Sequence, residues 1–142
     1  MRELARAGVP VGALVAPVIP GLNDHELPAL LEAAADAGAR FASYVVLRLP
    51  HALAPMFENW LGTHVPEKKE RVLNRIRSMR AGTLNDSQFD RRMEGEGIFA
   101  EQISHLFDVA CRKYGLNECV PALSIGSFRR PELGGQMRLF ND

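Results

Sequence analysis

Val9-Pro10-Val11-Gly12-Ala13-Leu14-Val15-Ala16-Pro17-Val18-Ile19-Pro20-Gly21-Leu22-Asn23-Asp24 is the stretch that decides how this chain folds. Residues 9–19 form a near-continuous apolar run, the composition of a parallel strand covered on both faces. Pro17 belongs near the end of that strand, because proline has no N–H to give a central ladder. Pro20 to Asp24 is a turn. Asn23, with Glu26 three residues later, resembles a capping box and predicts a helix beginning there. Pro28 either removes one early hydrogen bond or moves the start slightly downstream. Leu27, Leu30, Leu31 and Ala34 recur at helical spacing, and Gly38 ends the helix. Phe41 to Leu49, with Tyr44, Val45 and Val46, reads as a second strand stopped by Pro50. Strand, helix, strand over this span is a right-handed βαβ unit.

Working outward, Met1 to Ala7 reads as the last turns of a helix, with Gly8 as its stop. Downstream the pattern becomes helical. Pro55 to Leu61 is a short apolar helix. Glu67 to Arg80 follows Pro66 and carries a buried stripe of Val72, Leu73, Ile76 and Met79. Residues 85–97 are polar and loop-like. Ile98 to Tyr114 is a helix burying Phe99, Ile103, Leu106, Phe107 and Ala110, and Gly115 ends it. From Pro121 the chain is irregular, with a strand expected at Ala122 to Ile125. The division is therefore a βαβ part over 1–50, a helical part over 51–120 and an irregular tail over 121–142. Two parallel strands do not make a stable sheet in water. The expectation is one part of a larger α/β fold, its missing strands supplied by absent sequence or by another chain.

The 142 residues carry 17 Lys+Arg against 17 Asp+Glu, a formal net charge of zero. That balance excludes a broadly basic nucleic-acid binder and leaves only local patches to attract phosphate. With 46% hydrophobic residues the chain can build a core, which excludes intrinsic disorder. The apolar stretch Val9 to Leu22 is cut by Pro10, Pro17 and Pro20, which argues against a spanning helix. Met1-Arg2-Glu3-Leu4 places charges where a signal peptide needs its apolar region. Two cysteines are too few for a disulfide framework. The expected setting is a reducing, cytoplasmic one with no membrane partner.

The turn after the first strand is the sharpest candidate for chemistry, since α/β folds bind ligands at the C-terminal ends of parallel strands. Gly21 permits a close backbone approach, and the following helix offers free N–H groups. The competing reading is a plain strand-to-helix turn with a capping Asn. Arg48 is a charge between Leu47 and Leu49, and charges are rarely buried without a partner. It either meets an anion at the strand end or reaches solvent at the sheet margin.

These residues carry a resemblance. Val11 to Asp24, Ala33 to Gly38 and Tyr44 to Pro50 look like the second half of a radical S-adenosylmethionine (radical SAM) barrel, a TIM-like (β/α) fold. Ile19-Pro20-Gly21-Leu22-Asn23-Asp24 is similar to that superfamily's I-x-G-x-x-E pattern on its fifth strand, with Asp24 in place of Glu. Trp60-Leu61, the segment from Val72 to Gly82 and the segment from Asn85 to Gly97 more narrowly resemble DNA repair photolyase-like proteins related to spore photoproduct lyase. The resemblance spans most of Val11 to Leu116. It implies that residues 51–120 pack as a helical extension on the barrel. It also implies SAM and a four-iron four-sulfur (4Fe-4S) cluster as cofactors, the reduced cluster cleaving SAM to a radical that abstracts hydrogen. Val18 and Ile19 would wall the adenine, Gly21 would allow close approach, and Asn23, Asp24 and Arg48 would be polar partners.

One departure bears on mechanism. The family holds its cluster through C-x-x-x-C-x-x-C in the first half of the barrel, and this chain has no such motif. Cys111 and Cys119 are separated by seven residues without a third thiol, so the chain alone cannot hold the cluster. His105, Cys111 and Cys119 match no zinc spacing. Cys111, between apolar neighbours on a helix, reads as a core thiol.

Two further features suggest partners. Lys68, Lys69, Arg71, Arg75, Arg77 and Arg80 decorate one helix, followed by Arg91-Arg92 and, near the tail, Arg129-Arg130. This is either a local DNA-phosphate contact or a solvated amphipathic helix interleaved with Glu67 and Glu70. In the tail, Gln136, Leu139 and Phe140 match the bacterial sliding-clamp pattern Q-L-(S/D)-L-F, with Met137 and Arg138 as departures. Two apolar anchors after the flexible Gly134-Gly135 suit a preformed pocket. A terminal strand or core-docking tail would look alike. The expected function is thus a portion of a radical SAM enzyme that contributes part of the SAM and substrate pocket in repair-like chemistry, inactive alone and completed by an N-terminal barrel half. The alternative is a non-enzymatic truncated barrel that binds a clamp or a DNA-associated complex through its tail.

Overall fold

The computed structural model describes residues 1–89, 91–122, 125–126 and 128–129. Its centre is the α/β unit that the apolar run predicts. Strand β1 (Gly12–Val18) and strand β2 (Phe41–Val46) pair in parallel, joined by helix α1 (Leu27–Asp36). The register sets Gly12 against Phe41, Val15 against Tyr44 and Val18 against Val46. It is irregular between Val15 and Val18, where Pro17 has no N–H to donate. A short leading helix, Arg2–Arg6, ends before Gly8, which takes φ +79°. Helices α2 (Leu53–His64), α3 (Lys69–Ser78) and α4 (Ile98–Lys113) follow.

Side-chain alternation along the strands gives the sheet two unlike faces. Val15, Tyr44 and Val46 pack with Leu27, Leu31 and Ala34 of α1 and with Ile103, Phe107 and Ala110 of α4. Each fully buried aliphatic or aromatic side chain there contributes roughly 1.5–3 kcal/mol relative to exposure. The other face carries Leu14, 66% exposed, and the Phe41 ring lying against Gly12. A second apolar cluster joins Leu49, Leu61 of α2, and Val72, Leu73 and Ile76 of α3. The expected α3 stripe is thus buried in full, Met79 included. Leu30, expected on the buried face of α1, is 45% exposed.

The edges of the sheet are also unlike. The outer edge of β2 is occupied: Asn117 pairs with Ala42 through both side-chain polar atoms, and the Val46 N–H donates to Met93 O at 2.8 Å. On β1, no backbone group of residues 12–16 bonds outside the β1–β2 ladder among the described residues.

The structure corrects one local expectation. Asn23 makes no helix cap. A turn of 3-10 helix over Asp24–Glu26 intervenes, and α1 begins at Leu27 with Pro28 in its first turn. The reason is the choice of partner: the Asn23 amide bonds backward onto the end of β1, so it is not available to the helix. Both strands also end earlier than the apolar runs, at Val18 and Val46. The strand expected at 122–125 falls partly outside the described residues.

Candidate functional site

The C-terminal ends of β1 and β2 bring the turn 19–24 and Arg48 to one end of the sheet. Gly21 holds φ +80°, a conformation that favours glycine. Around it the turn is wired to itself. Asn23 Oδ1 accepts from the Ile19 N–H at 2.6 Å, and Asn23 Nδ2 donates to Pro17 O at 3.2 Å. Asp24 Oδ2 accepts from the Gly21 N–H at 2.9 Å. Helix α3 then closes over it. Arg71 Nη2 donates to Gly21 O at 2.9 Å, and Arg75 Nη1 lies 3.4 Å from Asp24 Oδ2. The Arg75 guanidinium also sits 4.8 Å from the centre of the Phe99 ring. The open approach expected at Gly21 is filled by Arg75, whose Cδ would lie 3.0 Å from an added Cβ.

Val18 is 1% exposed and packs in the core, and Ile19 packs on the second apolar cluster. Of the six residues expected to touch a cofactor, Arg48 is the one with a side-chain donor left over. Its Nε is buried without a hydrogen-bond partner, and its Nη1 reaches only Met93 Sδ at 3.9 Å. Tested against SAM, the turn offers a fixed backbone, with Val18 buried, the approach at Gly21 covered by Arg75 and the polar side chains already engaged. Of the six expected residues Arg48 alone keeps an unengaged side-chain donor.

The sequence places Arg80 only among the basic residues that decorate one helix, yet it ties the loop over 85–96 to the residues just after β2. It is 2% exposed. Its Nη2 donates to Leu47 O at 2.9 Å and its Nη1 to Arg92 O at 3.2 Å, tying the loop over 85–96 to the residues just after β2. Burial lowers its pKa from the ordinary value; nearby Asp86 opposes that shift and nearby Arg48 reinforces it. Nothing in the pattern Arg75-Ile76-Arg77-Ser78-Met79-Arg80 marks the last arginine as buried. Within the basic helix Arg71 bonds to Gly21 O, Arg75 pairs with Asp24 and Arg80 is buried, while Arg77 pairs at 3.9 Å with Glu58.

A separate cleft of about 580 Å³ is lined by Tyr44, Glu94, Glu96, Glu101, Ser104 and Asp108, among others. None of these was a candidate from the sequence. Burial raises the Tyr44 pKa above its ordinary value, with a hydrogen bond from Ser104 opposing the shift.

Cys111 is buried in the core and Cys119 is exposed. Two separated thiols, one buried and one exposed, do not fit a 4Fe-4S cluster. Among the described residues, no group of three His, Cys, Asp or Glu side chains could hold a metal ion. Among them, too, no helix is long and apolar enough to cross a membrane. Gln136, Leu139 and Phe140 lie outside the described residues. Comparison with protein-family models, with curated proteins and with solved structures finds no match to this chain.

Proposed function

We propose that this chain is the last βαβ portion of a parallel α/β barrel of radical SAM type, and that it supplies one wall of a SAM and substrate pocket. The observation that carries the reading is the inequality of the sheet edges. The outer edge of β2 is occupied by Asn117 and Met93, as suits a terminal strand, whereas among the described residues β1 keeps backbone groups without partners, as suits pairing with a preceding strand. The exposed Leu14 on the face away from the helices supports it, since parallel sheets are covered on both faces. In this reading Val18 and Gly21 hold the backbone of the turn from within, Ile19, Asn23 and Asp24 are its wall, and Arg48 is its anion partner. The cluster and the hydrogen abstraction that it drives belong to the missing barrel half.

Titration of the isotope-labelled chain with SAM, followed by amide NMR shifts, tests this. Shifts confined to residues 18–24 and 47–49 are expected. Absence of shifts, or shifts located elsewhere, overturns the assignment of the pocket wall.

A further inference from the structure

A cleft of about 330 Å³ opens between the turn after β1, helix α3 and helix α4. Phe99, Ile103 and Leu106 of α4 give it an apolar side, and Asp24 with Arg75 gives it a charged one. Gln102 and His25, both exposed, complete the lining, and no other ionisable side chain among the described residues faces the cleft. The charged pair is loosely made. Arg75 Nη1 and Asp24 Oδ2 are 3.4 Å apart, against about 2.7–2.9 Å for a well-formed charge-assisted bond. Asp24 Oδ2 also accepts from the Gly21 N–H at 2.9 Å. Every bond that the two side chains make among the described residues runs through these two atoms, which leaves Asp24 Oδ1 and the Nε and Nη2 of Arg75 for a ligand.

The two charges are set in place before any ligand arrives. The Gly21 N–H orients Asp24, and the Phe99 ring lies 4.8 Å from the Arg75 guanidinium. A ligand carrying one sign of charge meets its own sign in the neighbouring group: an anion at Arg75 is repelled by Asp24, and a cation at Asp24 by Arg75. A ligand with both charges close together satisfies both members without separating them. An α-amino acid carries its ammonium and carboxylate on one carbon, and its side chain would then fall on the apolar side of the cleft. The volume is at the small end of ligand sites, as suits a molecule of that size.

We infer that this cleft binds a free α-amino acid with an apolar side chain, its ammonium on Asp24, its carboxylate on Arg75 and its side chain against Phe99, Ile103 and Leu106. The site shares Asp24 with the proposed SAM wall. It goes beyond that reading and does not rest on it, since the cleft, the charged pair and the apolar side all lie within this chain.

The test uses the full chain and L-leucine as probe, with binding read by calorimetry and by amide NMR shifts. L-Leucine is expected to bind and to shift amides over 24–25 and 99–106. Two analogues separate the charges without altering the protein. 3-Methylbutylamine lacks the carboxylate and 4-methylpentanoate lacks the ammonium; each should bind at least about tenfold more weakly, the loss of one charge-assisted pair. Arg75→Gln and Asp24→Asn should each weaken L-leucine by a similar factor, and the asparagine can still accept from the Gly21 N–H. No binding of L-leucine overturns the inference, as does either analogue binding as tightly as L-leucine, or shifts lying away from the cleft. L-Leucine binding without SAM-induced shifts leaves the cleft standing and sinks the SAM wall; the converse result does the reverse. SAM-induced shifts confined to 99–106 would place the amino-acid end of SAM in the cleft, supporting this site and overturning the wall.

Discussion

Asn117 stands in for a neighbouring strand against Ala42: its Oδ1 accepts from the Ala42 N–H at 2.8 Å, and its Nδ2 donates to Ala42 O at 3.1 Å. The Asn117 N–H continues the pairing by donating to Arg40 O at 3.0 Å. Asn117 has φ +66°, a conformation that asparagine tolerates better than most residues. One side chain thus closes an edge that would otherwise invite another chain.

Asn117→Gly keeps that backbone conformation and removes both side-chain bonds. It should cost about 1–2 kcal/mol, near the worth of two partly exposed hydrogen bonds. Urea unfolding measures the loss, and hydrogen exchange at the Ala42 amide should accelerate. A variant as stable as wild type with unchanged exchange would show that the edge is held by something else.

Arg80→Met tests the other tie across the end of β2. Methionine fills similar volume but leaves Leu47 O and Arg92 O without donors. Removing a partly compensated buried charge offsets some of that loss. The net expectation is a destabilisation of about 1–3 kcal/mol, with the loop over 85–96 loosened before the rest. Limited proteolysis should cut first in that loop, and cleavage first elsewhere would argue against the tie.

The difference between Leu27 and Arg80 shows what the sequence could reveal. Leu27, Leu31 and Ala34 are buried because their spacing matches the helix period, a local property that any reader of the chain can count. The βαβ order follows equally from apolar runs and their glycine and proline stops. Arg80 follows no such rule. Its burial depends on where Leu47 and Arg92 carry their carbonyls, and those meet it only in three dimensions. Asn23 misleads for a related reason: its spacing to Glu26 is that of a cap, but the end of β1 offers its amide two closer partners. The candidate turn was legible as a strand-to-helix turn, and its closure by Arg71 and Arg75 was not, because fifty residues separate them.

Gly21→Ala probes that closure. The new Cβ would sit 3.0 Å from Arg75 Cδ on a backbone at φ +80°. Arg75 can swing aside, but the left-handed conformation remains strained, so a loss of about 1–2 kcal/mol is expected. The Arg75–Asp24 pair should separate with it. An Arg75→Ala background should relieve the steric part and leave the backbone part, which a double-mutant cycle separates. Full additivity would mean that Arg75 does not crowd the turn.

The two thiols should respond differently to a thiol reagent, and Cys111 gives the fold a pH dependence. Cys111 is 4% exposed, and burial first, then the negative charge of Asp108, raise its pKa above the ordinary 9.0. Cys119 is exposed. A thiol reagent at pH 8 should therefore modify one cysteine rapidly and the other only as fast as the protein opens. The linkage has a definite sign. Above pH 9 the unfolded Cys111 loses its proton while the folded one keeps it. Its contribution to stability is therefore complete below the unfolded value and is lost as pH rises through the folded one. Tyr44 and Lys113, also raised, begin to act in the same direction only from 10.0 and 10.5. Between pH 9 and 10 the fall in unfolding free energy should thus belong mainly to Cys111 and should flatten in Cys111→Ala. An unchanged slope in that variant, or two thiols reacting at one rate, would contradict the burial of Cys111 in the core.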